Sequence, residues 1–509
     1  MLSDLAHGIA SFFSLVSVGT ALLGLIAGIV VGAIPGLTAT MAIAVLSPFT
    51  FFMDTAIALP FLLGVYKGAI YGGSIPAVLI NTPGTAAAAA TTLDGHALAK
   101  QGRARHALEM SLYASVMGDM LGTVVLISVT APLAAIAIKF SSPEFTILFI
   151  FALSLIASVS GDSILKGLIA AAAGALIGCI GLDPMSGYQR FTFGVSDLSG
   201  GIALVPVLIG MFAISEVLIQ SEKKVLRSVS SVTDGRGAPL PLSAVRRVIP
   251  TILRASAIGT FIGALPGLGA EIACWVAYGD AKRQSKTPGL FGRGALEGVA
   301  AAESGNNATV PATLIPMLVF GIPGDTVTAI LLGAFMAQGL LPGPLLFQQH
   351  SDVIYGLFGL LLLTNLLLLG FGLAAIRIVR HVVLIPHAIL LPCVTVVCFA
   401  GSYAVSSNMF DVLVMLTGGF AGYAMRKAAV PIPPFVIALL LASPLENAIR
   451  QSLLFSAGGI SIFVTRPISA TLLGLFALSM GFVAWRALSR RRNRAPSTVA
   501  DAIGDPNTP

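Results

Sequence analysis

The sequence predicts an all-α polytopic membrane protein with about 10–14 transmembrane or re-entrant helical segments, arranged as two inverted-topology repeats with Pro-Gly-broken helices. The first observation is composition: 56% of the 509 residues are hydrophobic and only 10% are charged. A soluble protein of this size would need more charge to cover its surface. The composition therefore excludes a soluble enzyme, a disordered protein and a nucleic-acid-binding protein.

The second observation is the order of apolar and basic segments along the chain. Apolar runs in the first half predict helices at 11–34, 41–53, 55–75, 107–138, 144–160, 163–182 and 202–220. Lysine and arginine concentrate between and after the apolar halves, which is typical of cytoplasmic segments. The predicted organisation is membrane repeat 1 at 1–220, a basic cytoplasmic connecting loop at 221–254, membrane repeat 2 at 255–485 and a cytoplasmic tail at 486–509. An interfacial helix within the connecting loop remains an open alternative.

The third observation is an internal repeat of glycines and prolines. Five residues recur at an offset of 231: Gly28, Gly32, Pro35, Gly36 and Leu37 match Gly259, Gly263, Pro266, Gly267 and Leu268. Four more recur at an offset of 240: Ile75, Pro76, Pro83 and Gly84 match Ile315, Pro316, Pro323 and Gly324. Two matches in the same order predict two copies of one membrane module.

The distribution of basic residues predicts that the two copies are inverted. The stretch 94–106 contains Lys100, Arg103 and Arg105, whereas its equivalent at 334–346 contains no lysine or arginine. The same difference in basic residues is found between 246–254 and 15–23, and between 280–293 and 49–62. The first stretch of each pair is basic, and the second contains no lysine or arginine. Basic loops stay on the cytoplasmic side, so inversion explains the difference. It predicts an N-terminus outside the cell and a cytoplasmic C-terminus. The first apolar stretch lacks the features of a cleaved signal and is expected to be retained.

Each of the four Pro-Gly pairs is expected to end one helix and begin another. Such breaks are tolerated in a bilayer when they are buried in protein or line a wet cavity. The new helix N-termini would bind an anion such as a carboxylate, and broken carbonyl ends would hold a cation. The predicted substrate-binding residues are Pro35, Gly36, Thr38, Asn81, Thr82, Pro83, Gly84, Thr85, Pro266, Gly267, Asn306, Asn307, Pro323, Gly324 and Thr326.

Acidic residues near the breaks are candidates for a coupled cation. They are Glu271, Glu303 and Asp325. Alternatives remain open: the breaks are simple kinks or turns, the asparagines make interhelical hydrogen bonds, and Asp325 or Glu271 caps its own helix or repels an anion.

The sequence contains no motif for a metal, a cofactor or an ATPase. It lacks HExxH, GxxxxGK[ST] and GxSxG patterns, and its four cysteines lie in apolar surroundings. We therefore expect no enzyme activity, no metal and no cofactor. Uphill transport would have to be driven by an ion gradient or by a partner.

The chain resembles the large membrane subunit of the tripartite tricarboxylate transporters, the TctA family. Four blocks carry the resemblance, at 28–38, 71–95, 303–324 and 444–468. Departures occur at 438–444, where leucines and alanines stand in place of the family's glycines, and at Gly458-Gly459, where Gly-Asp is more usual.

The resemblance implies a secondary transporter of organic di- or tricarboxylates in the bacterial inner membrane, with a periplasmic N-terminus. It also implies two partners, a small membrane subunit and a periplasmic solute-binding protein, and coupling to Na⁺ or H⁺ with alternating access. The alternative is a stand-alone ion-coupled anion exchanger or channel that needs no partner subunit.

Overall fold

The computed structural model describes residues 13–159, 163–222, 238–383, 387–457 and 459–478. In this part of the chain almost all regular structure is helical, apart from one short antiparallel pair of strands, β1 Gly181–Leu182 and β2 Gln189–Arg190. Seven continuous helical stretches in the described residues are long and apolar enough to cross a bilayer, two of which (Thr55–Ile80 and Leu204–Glu222) comprise more than one of the elements named below, and five further apolar helices are shorter. The predicted class, an all-α polytopic membrane protein, is confirmed.

The chain divides into two compact units. The first comprises Met1–Lys139 and Leu155–Pro444, and the second comprises Phe140–Ser154 and Leu445–Pro509. The contacts described below belong to the first unit unless the second is named.

The helices of the first half follow the predicted apolar runs closely. They are α1 Leu15–Gly32, α2 Ala39–Thr50, α3 Thr55–Gly72, α4 Ser74–Ile80, α5 Ala89–Lys100, α6 Ala104–Ala137, α7 Ser142–Val159, α8 Ile164–Gly178, α9 Leu204–Leu208 and α10 Ser215–Glu222. A 3-10 turn, Ala86–Ala88, precedes α5, and a π-helical segment, Ile209–Ile214, joins α9 to α10. The sequence interpretation did not anticipate α4 and α5 as separate helices.

The second half contains the remaining helices. They are α11 Leu242–Gly263, α12 Gly269–Gln284, α13 Leu296–Phe320, α14 Thr326–Ala337, α15 Leu346–Gln349, α16 Ser351–Val383, α17 His387–Ser406, α18 Met409–Lys427, α19 Ile432–Phe455, α20 Ile462–Thr465 and α21 Pro467–Leu478.

Helix α11 begins inside the segment 221–254, which the sequence interpretation assigned to a connecting loop. Val245, Val248 and Ile252 are buried at helical spacing, while Arg246 and Arg247 are exposed on the other face. The sequence interpretation left a helix open in this segment, and the structure shows that the start of α11 is amphipathic. Residues 1–12, 223–237 and the predicted tail at 486–509 lie outside the described residues, and their assignment to one side of the membrane stays a prediction.

Small residues bring α1 and α3 into close contact. Gly24, Gly28 and Gly32 of α1 lie against the backbone of Phe61, Val65 and Ala69 of α3 in turn, so the two helices run in the same direction. This allows backbones to approach as in other membrane helix pairs. The second half repeats the contact: Gly259 lies against Gly305, and Gly263 against Thr309.

Helix α6 lies beside both α3 and α13, which fixes their relative directions. Its Ser111 bonds Ser74 of α4, and further along α6 Asp119 contacts Lys67 of α3, so α6 runs opposite to α3. Gly118 and Gly122 of α6 lie against Ser304 and Ala308 of α13, so α6 and α13 run in the same direction. It follows that α3 and α13 run in opposite directions.

Asp94 ties α5 to the loop that precedes α13. Its Oδ1 atom accepts hydrogen bonds from the backbone N–H groups of Gly292, Gly294 and Ala295 at 2.8, 2.9 and 2.8 Å. Its Oδ2 atom accepts a hydrogen bond from the Tyr278 hydroxyl at 2.8 Å. Hydrogen bonds to a carboxylate are stronger than neutral ones. This contact, which we call the Asp94 clasp, fixes the middle of α5 to the second half.

The second unit has its own ion pair. Glu144 at the start of α7 accepts a hydrogen bond from the backbone N–H of Ser141 at 2.9 Å, and the Nε atom of Arg466 lies 2.7 Å from its other oxygen. Phe145 packs edge-on against Phe140. Arg466 and Pro467 belong to the 444–468 block. Arg466 follows the end of α20 and forms the ion pair, and Pro467 begins α21.

The close contact between α1 and α3 predicts a stability difference between two alanine substitutions in α1. A β-carbon at Gly28 would overlap the carbonyl oxygen of Val65, whereas one at Gly19 would meet nothing within 4 Å. We expect Gly28→Ala to destabilise the chain by about 1–3 kcal/mol and Gly19→Ala to leave it unchanged. Melting temperature in detergent measures the difference, and equal melting temperatures would contradict this packing.

Candidate substrate cavity

A cavity of about 490 Å³ in the first unit is lined by the residues that follow all four Pro-Gly breaks. Its volume falls in the range of about 300–1,000 Å³ that is common for small-molecule sites. Four groups of residues that follow the breaks line it: Thr38–Thr40, Thr85–Ala87, Gly267–Ile272 and Asp325–Val327. Phe212 and residues around the connection of α18 to α19 complete the lining. The chain therefore brings four helix starts, widely separated in sequence, to one place.

The first and third breaks share a backbone conformation. Gly36 and Gly267 have φ values of 90° and 85°, a region in which only glycine is unstrained. After the first break, the Thr38 hydroxyl oxygen accepts a hydrogen bond from the N–H of Met41 at 3.1 Å and caps α2. After the third, Gly267 donates its N–H to the carbonyl of Gly324 at 2.8 Å, which joins this break to the fourth.

The second and fourth breaks end their preceding helices in the same way. Asn81 and Gly321, which are equivalent at an offset of 240, both adopt left-handed conformations, with φ values of 57° and 69°. Glycine and asparagine are the residues that adopt this conformation most readily at helix ends. Asn81 therefore has a backbone role that the sequence interpretation did not consider.

The helix that follows the fourth break has a complete N-terminal cap. Asp325 Oδ1 accepts a hydrogen bond from the N–H of Thr328 at 2.7 Å, and the Thr328 hydroxyl contacts the N–H of Asp325 at 2.8 Å. The Oδ2 atom of Asp325 accepts a hydrogen bond from the Tyr66 hydroxyl at 2.7 Å. The open capping alternative is thus realised for Asp325, and its carboxylate still lines the cavity.

The cavity wall carries both positive and negative character. Four helix N-termini face it, and each directs the positive end of a helix dipole toward it, although side chains cap the starts of α2 and α14. Arg426 also lines the cavity and pairs with Glu216 of α10. Asp325 and Glu271 provide two carboxylates. The site can accommodate an anion near the helix ends and a cation near the carboxylates.

The first and fourth breaks contact each other across the cavity. The hydroxyl oxygens of Thr40 and Thr326 lie 3.0 Å apart. At the far ends of the same helices, Gln338 donates to the carbonyl of Thr50 at 2.7 Å. Helices α2 and α14 therefore run side by side in the same direction, with both N-termini at the cavity.

The structure brings some of the predicted site residues to the cavity and not others. The residues that line it are Thr38, Thr85, Gly267, Glu271, Asp325 and Thr326. Asn81 and Thr82 are exposed at the end of α4. The break residues Pro35, Gly36, Pro83, Gly84, Pro266, Pro323 and Gly324 shape the turns but are not part of the lining. A role of any of these residues in substrate binding stays a prediction.

Three further predicted residues lie inside α13, away from the cavity lining. Glu303, Asn306 and Asn307 are completely buried. Glu303 accepts hydrogen bonds from the hydroxyls of Thr91 and Ser115. Both amide atoms of Asn306 have no hydrogen-bond partner in the described part of the chain.

The sequence interpretation missed some residues at the cavity. Arg426 and the Pro431–Pro433 segment line it, and Tyr66 bonds the Asp325 carboxylate at its edge. The cluster of Pro431, Pro433 and Pro434 is a visible break signal that was not used. Arg426 gave no such signal, because its partner Glu216 is distant in sequence.

A multi-pass helical chain whose broken helices surround a cavity has the architecture of a membrane transporter. The chain matches the tripartite tricarboxylate transporter TctA family over residues 18–437, and it belongs to this family. This confirms the resemblance derived from the sequence. Groups of three or more His, Cys, Asp or Glu side chains that would hold a metal ion are absent from the described residues.

Two related proteins come from Agrobacterium vitis. An uncharacterized 52.8 kDa protein in the TAR-I ttuC' 3' region is 34% identical over 475 residues, which cover 93% of this chain and 94% of that protein. An uncharacterized protein in the TAR-II ttuC' 3' region is 36% identical over 217 residues, which cover 43% of this chain and 90% of that protein. No solved structure matches the chain.

The cap of α14 predicts how two substitutions of Asp325 should differ. Asparagine keeps an oxygen that can accept from Thr328, whereas alanine removes the cap, which typically costs about 0.5–2 kcal/mol. We expect Asp325→Ala to lower the melting temperature of the purified chain and Asp325→Asn to stay near the wild type. Equal destabilisation by both would show that the charge, rather than the cap, is the stabilising feature.

Proposed function

We propose that the chain is the large membrane subunit of a binding-protein-dependent secondary transporter that imports organic di- or tricarboxylates across the bacterial inner membrane. A periplasmic solute-binding protein delivers the substrate, a small membrane subunit completes the complex, and a Na⁺ or H⁺ gradient drives uptake. The observation that carries the proposal is the single cavity at which four helix N-termini meet. Helix N-termini bind carboxylates through backbone N–H groups and the helix dipole.

The proposed architecture is a pair of inverted-topology repeats with the substrate between them. Support comes from three relations: the Gly28–Val65 contact has its equivalent in Gly259–Gly305, equivalent helix ends adopt the same conformations, and α3 runs opposite to α13. In transporters of this kind the two halves expose a central site to each side of the membrane in turn. We infer alternating access about the broken helices.

Equivalent positions in the two proposed repeats carry different chemistry. Thr40 is equivalent to Glu271, and Thr85 is equivalent to Asp325, so one half presents hydroxyls where the other presents carboxylates. An anionic substrate is repelled by the carboxylates and attracted to free N–H and O–H donors. We infer that substrate carboxylates bind on the Thr40 and Thr85 side, and that the acidic side accepts coupled cations.

The same relation gives Asn306 a role. Its equivalent is Tyr66, which bonds Asp325, the equivalent of Thr85. The repeat relation therefore assigns Asn306 to the Thr85 side of the proposed site, although no hydrogen bond joins the two side chains and Asn306 is not part of the cavity lining. The Thr85 hydroxyl and both amide atoms of Asn306 are buried and have no hydrogen-bond partner among the described residues. Buried polar groups are normally paired, so these atoms are available to a ligand.

The inverted arrangement predicts that equivalent loops face opposite sides of the membrane. Gln101 and Leu341, equivalent at an offset of 240, are both exposed. In a background with the four native cysteines replaced by serine, we expect Leu341→Cys to react with an impermeant maleimide in intact spheroplasts. Gln101→Cys should react only after the membrane is opened. Labelling of both from one side would contradict inversion, whereas the cavity itself would remain.

The substrate site predicts different effects of two threonine-to-valine substitutions. Thr85 lines the cavity, whereas Thr417 of α18 is exposed outside it. A hydrogen bond to a charged group contributes about 1.5–3 kcal/mol. We expect Thr85→Val to lower carboxylate uptake by about tenfold or more, and Thr417→Val to leave it unchanged. Asn306→Leu should abolish uptake without loss of melting temperature, because its amide has no partner to lose.

The assay uses proteoliposomes that contain the chain with its small membrane subunit; the binding protein and labelled di- or tricarboxylates are added outside, and uptake is measured under an inward Na⁺ or pH gradient. Liposomes that contain the chain alone are the control. Uptake by the chain alone would favour the alternative, a stand-alone exchanger or channel. Normal uptake by Thr85→Val and Asn306→Leu would contradict the proposed site while leaving the transport function intact.

A further inference from the structure

Two buried polar clusters lie beside α6 and outside the cavity lining. The Lys67 cluster consists of Lys67, Asp119, Thr364 and Asn365. The Glu303 cluster consists of Glu303, Thr91, Ser115 and Asn307. Every charged side chain in both clusters is at most 1% exposed. Polar groups at such depth in a membrane protein are costly and generally functional.

The two clusters have similar arrangements of polar side chains. Lys67 and Asn307 are equivalent at an offset of 240. The Lys67 ammonium donates to the hydroxyl of Thr364 at 3.0 Å, and the Asn307 amide donates to the hydroxyl of Ser115 at 2.9 Å. Each cluster also contains one buried carboxylate, Asp119 or Glu303.

The clusters differ in charge balance. Lys67 Nζ lies 3.0 Å from Asp119 Oδ1, so the first cluster contains its own cation. The Glu303 carboxylate accepts hydrogen bonds from the hydroxyls of Thr91 and Ser115, the latter at 3.1 Å, and from the Asn307 amide at 3.4 Å. No lysine, arginine or histidine of the described chain forms an ion pair with it. A buried carboxylate without a compensating charge is strongly unfavourable.

The ligand chemistry of the Glu303 cluster suits a hard monovalent cation. Its groups are a carboxylate, two hydroxyls and an amide, which supply the oxygen ligands that hard cations prefer. The Oδ1 atom of Asn307 is buried and has no hydrogen-bond partner in the described residues. Rotation of the amide would direct this oxygen to the point that Nδ2 now occupies, beside Ser115 and the Glu303 carboxylate. One acidic side chain balances a single positive charge.

We propose that the Glu303 cluster binds one sodium ion, and that the Lys67 ammonium is the permanent counterpart of this ion in the other half of the molecule. This inference rests on the proposed function, since it assigns the coupled cation of that function to a site separate from the substrate cavity.

The position of the cluster explains how such an ion acts on the substrate site. Thr91 lies on α5, and the break that precedes α5 ends in Thr85, which lines the cavity. A sodium ion held between α5, α6 and α13 fixes α5 and therefore the helix start at Thr85. Without the ion, the Thr91–Glu303 hydrogen bond and the Asp94 clasp still hold α5 to the second half, so sodium adds to the order of the substrate site.

The test measures melting temperature of the purified full chain in detergent, without substrate or partners, as choline chloride is replaced by sodium chloride at constant ionic strength. A ligand that binds only the folded state raises melting temperature in a saturable way. We expect sodium to do so and potassium not to do so. Glu303→Gln should raise the melting temperature in choline and abolish the response to sodium.

Matched variants separate this site from general effects of salt. Glu297→Gln changes the same residue type in the first turn of the same helix, where Glu297 bonds Thr251, and should keep the full sodium response. Ser115→Ala should weaken the apparent sodium affinity about tenfold or more. Asn307→Lys copies the arrangement of the Lys67 cluster, so it should be as stable in choline as the wild type is in sodium, and insensitive to sodium.

A wild-type chain with no sodium response, or a response that survives in Glu303→Gln, would overturn the proposal. A melting temperature that depends on pH through Glu303 but not on sodium would overturn it in favour of a proton at the same carboxylate. These outcomes are independent of the uptake assay: carboxylate uptake without a sodium response rejects only this site, and a sodium response without carboxylate uptake rejects only the transport proposal.

Discussion

Hydrocarbon cannot satisfy a backbone N–H or C=O group, and this constraint governs the rest of the structure. Four helices are interrupted by Pro-Gly pairs, so the groups released at each break must meet protein or a polar cavity. Gly267 meets Gly324 across two breaks, and the helix starts that follow face the cavity. The glycine contacts between α1 and α3 and between α11 and α13 hold the interrupted segments close enough for these partners to meet.

Features determined by local sequence could be predicted from it. Apolar runs located α1, α3 and α6, because burial in a bilayer needs only length and hydrophobicity. Pro-Gly pairs located the helix ends, because proline and glycine act on their own turn. A helix in the basic segment before residue 255 was an open alternative, but the start of α11 was not located, since its arginines outweigh the buried valines in the composition of that segment. The mean hydropathy of a segment does not distinguish the buried face of a helix from its exposed face.

Features determined by distant contacts could not be predicted. Threonines and acids that follow a break were expected at the cavity, and Thr38, Thr85 and Asp325 do line it. Sequence alone gave no means to pair Tyr66 with Asp325, because the two residues are in different halves of the chain. It also did not reveal that Asn81 ends a helix in a left-handed conformation with its side chain exposed. A polar residue in an apolar run indicates a constraint, and only the fold identifies which one.

The Asp94 clasp has a consequence for how the protein is made. While the ribosome has produced only the first half, the Asp94 carboxylate lacks its backbone donors at 292–295, and the small-residue face of α6 at Gly118 and Gly122 lacks α13. The nascent first half is therefore an incomplete folding unit with charged and cohesive surfaces inside the bilayer. Its final assembly must therefore follow translation of α13, which supplies the missing contacts.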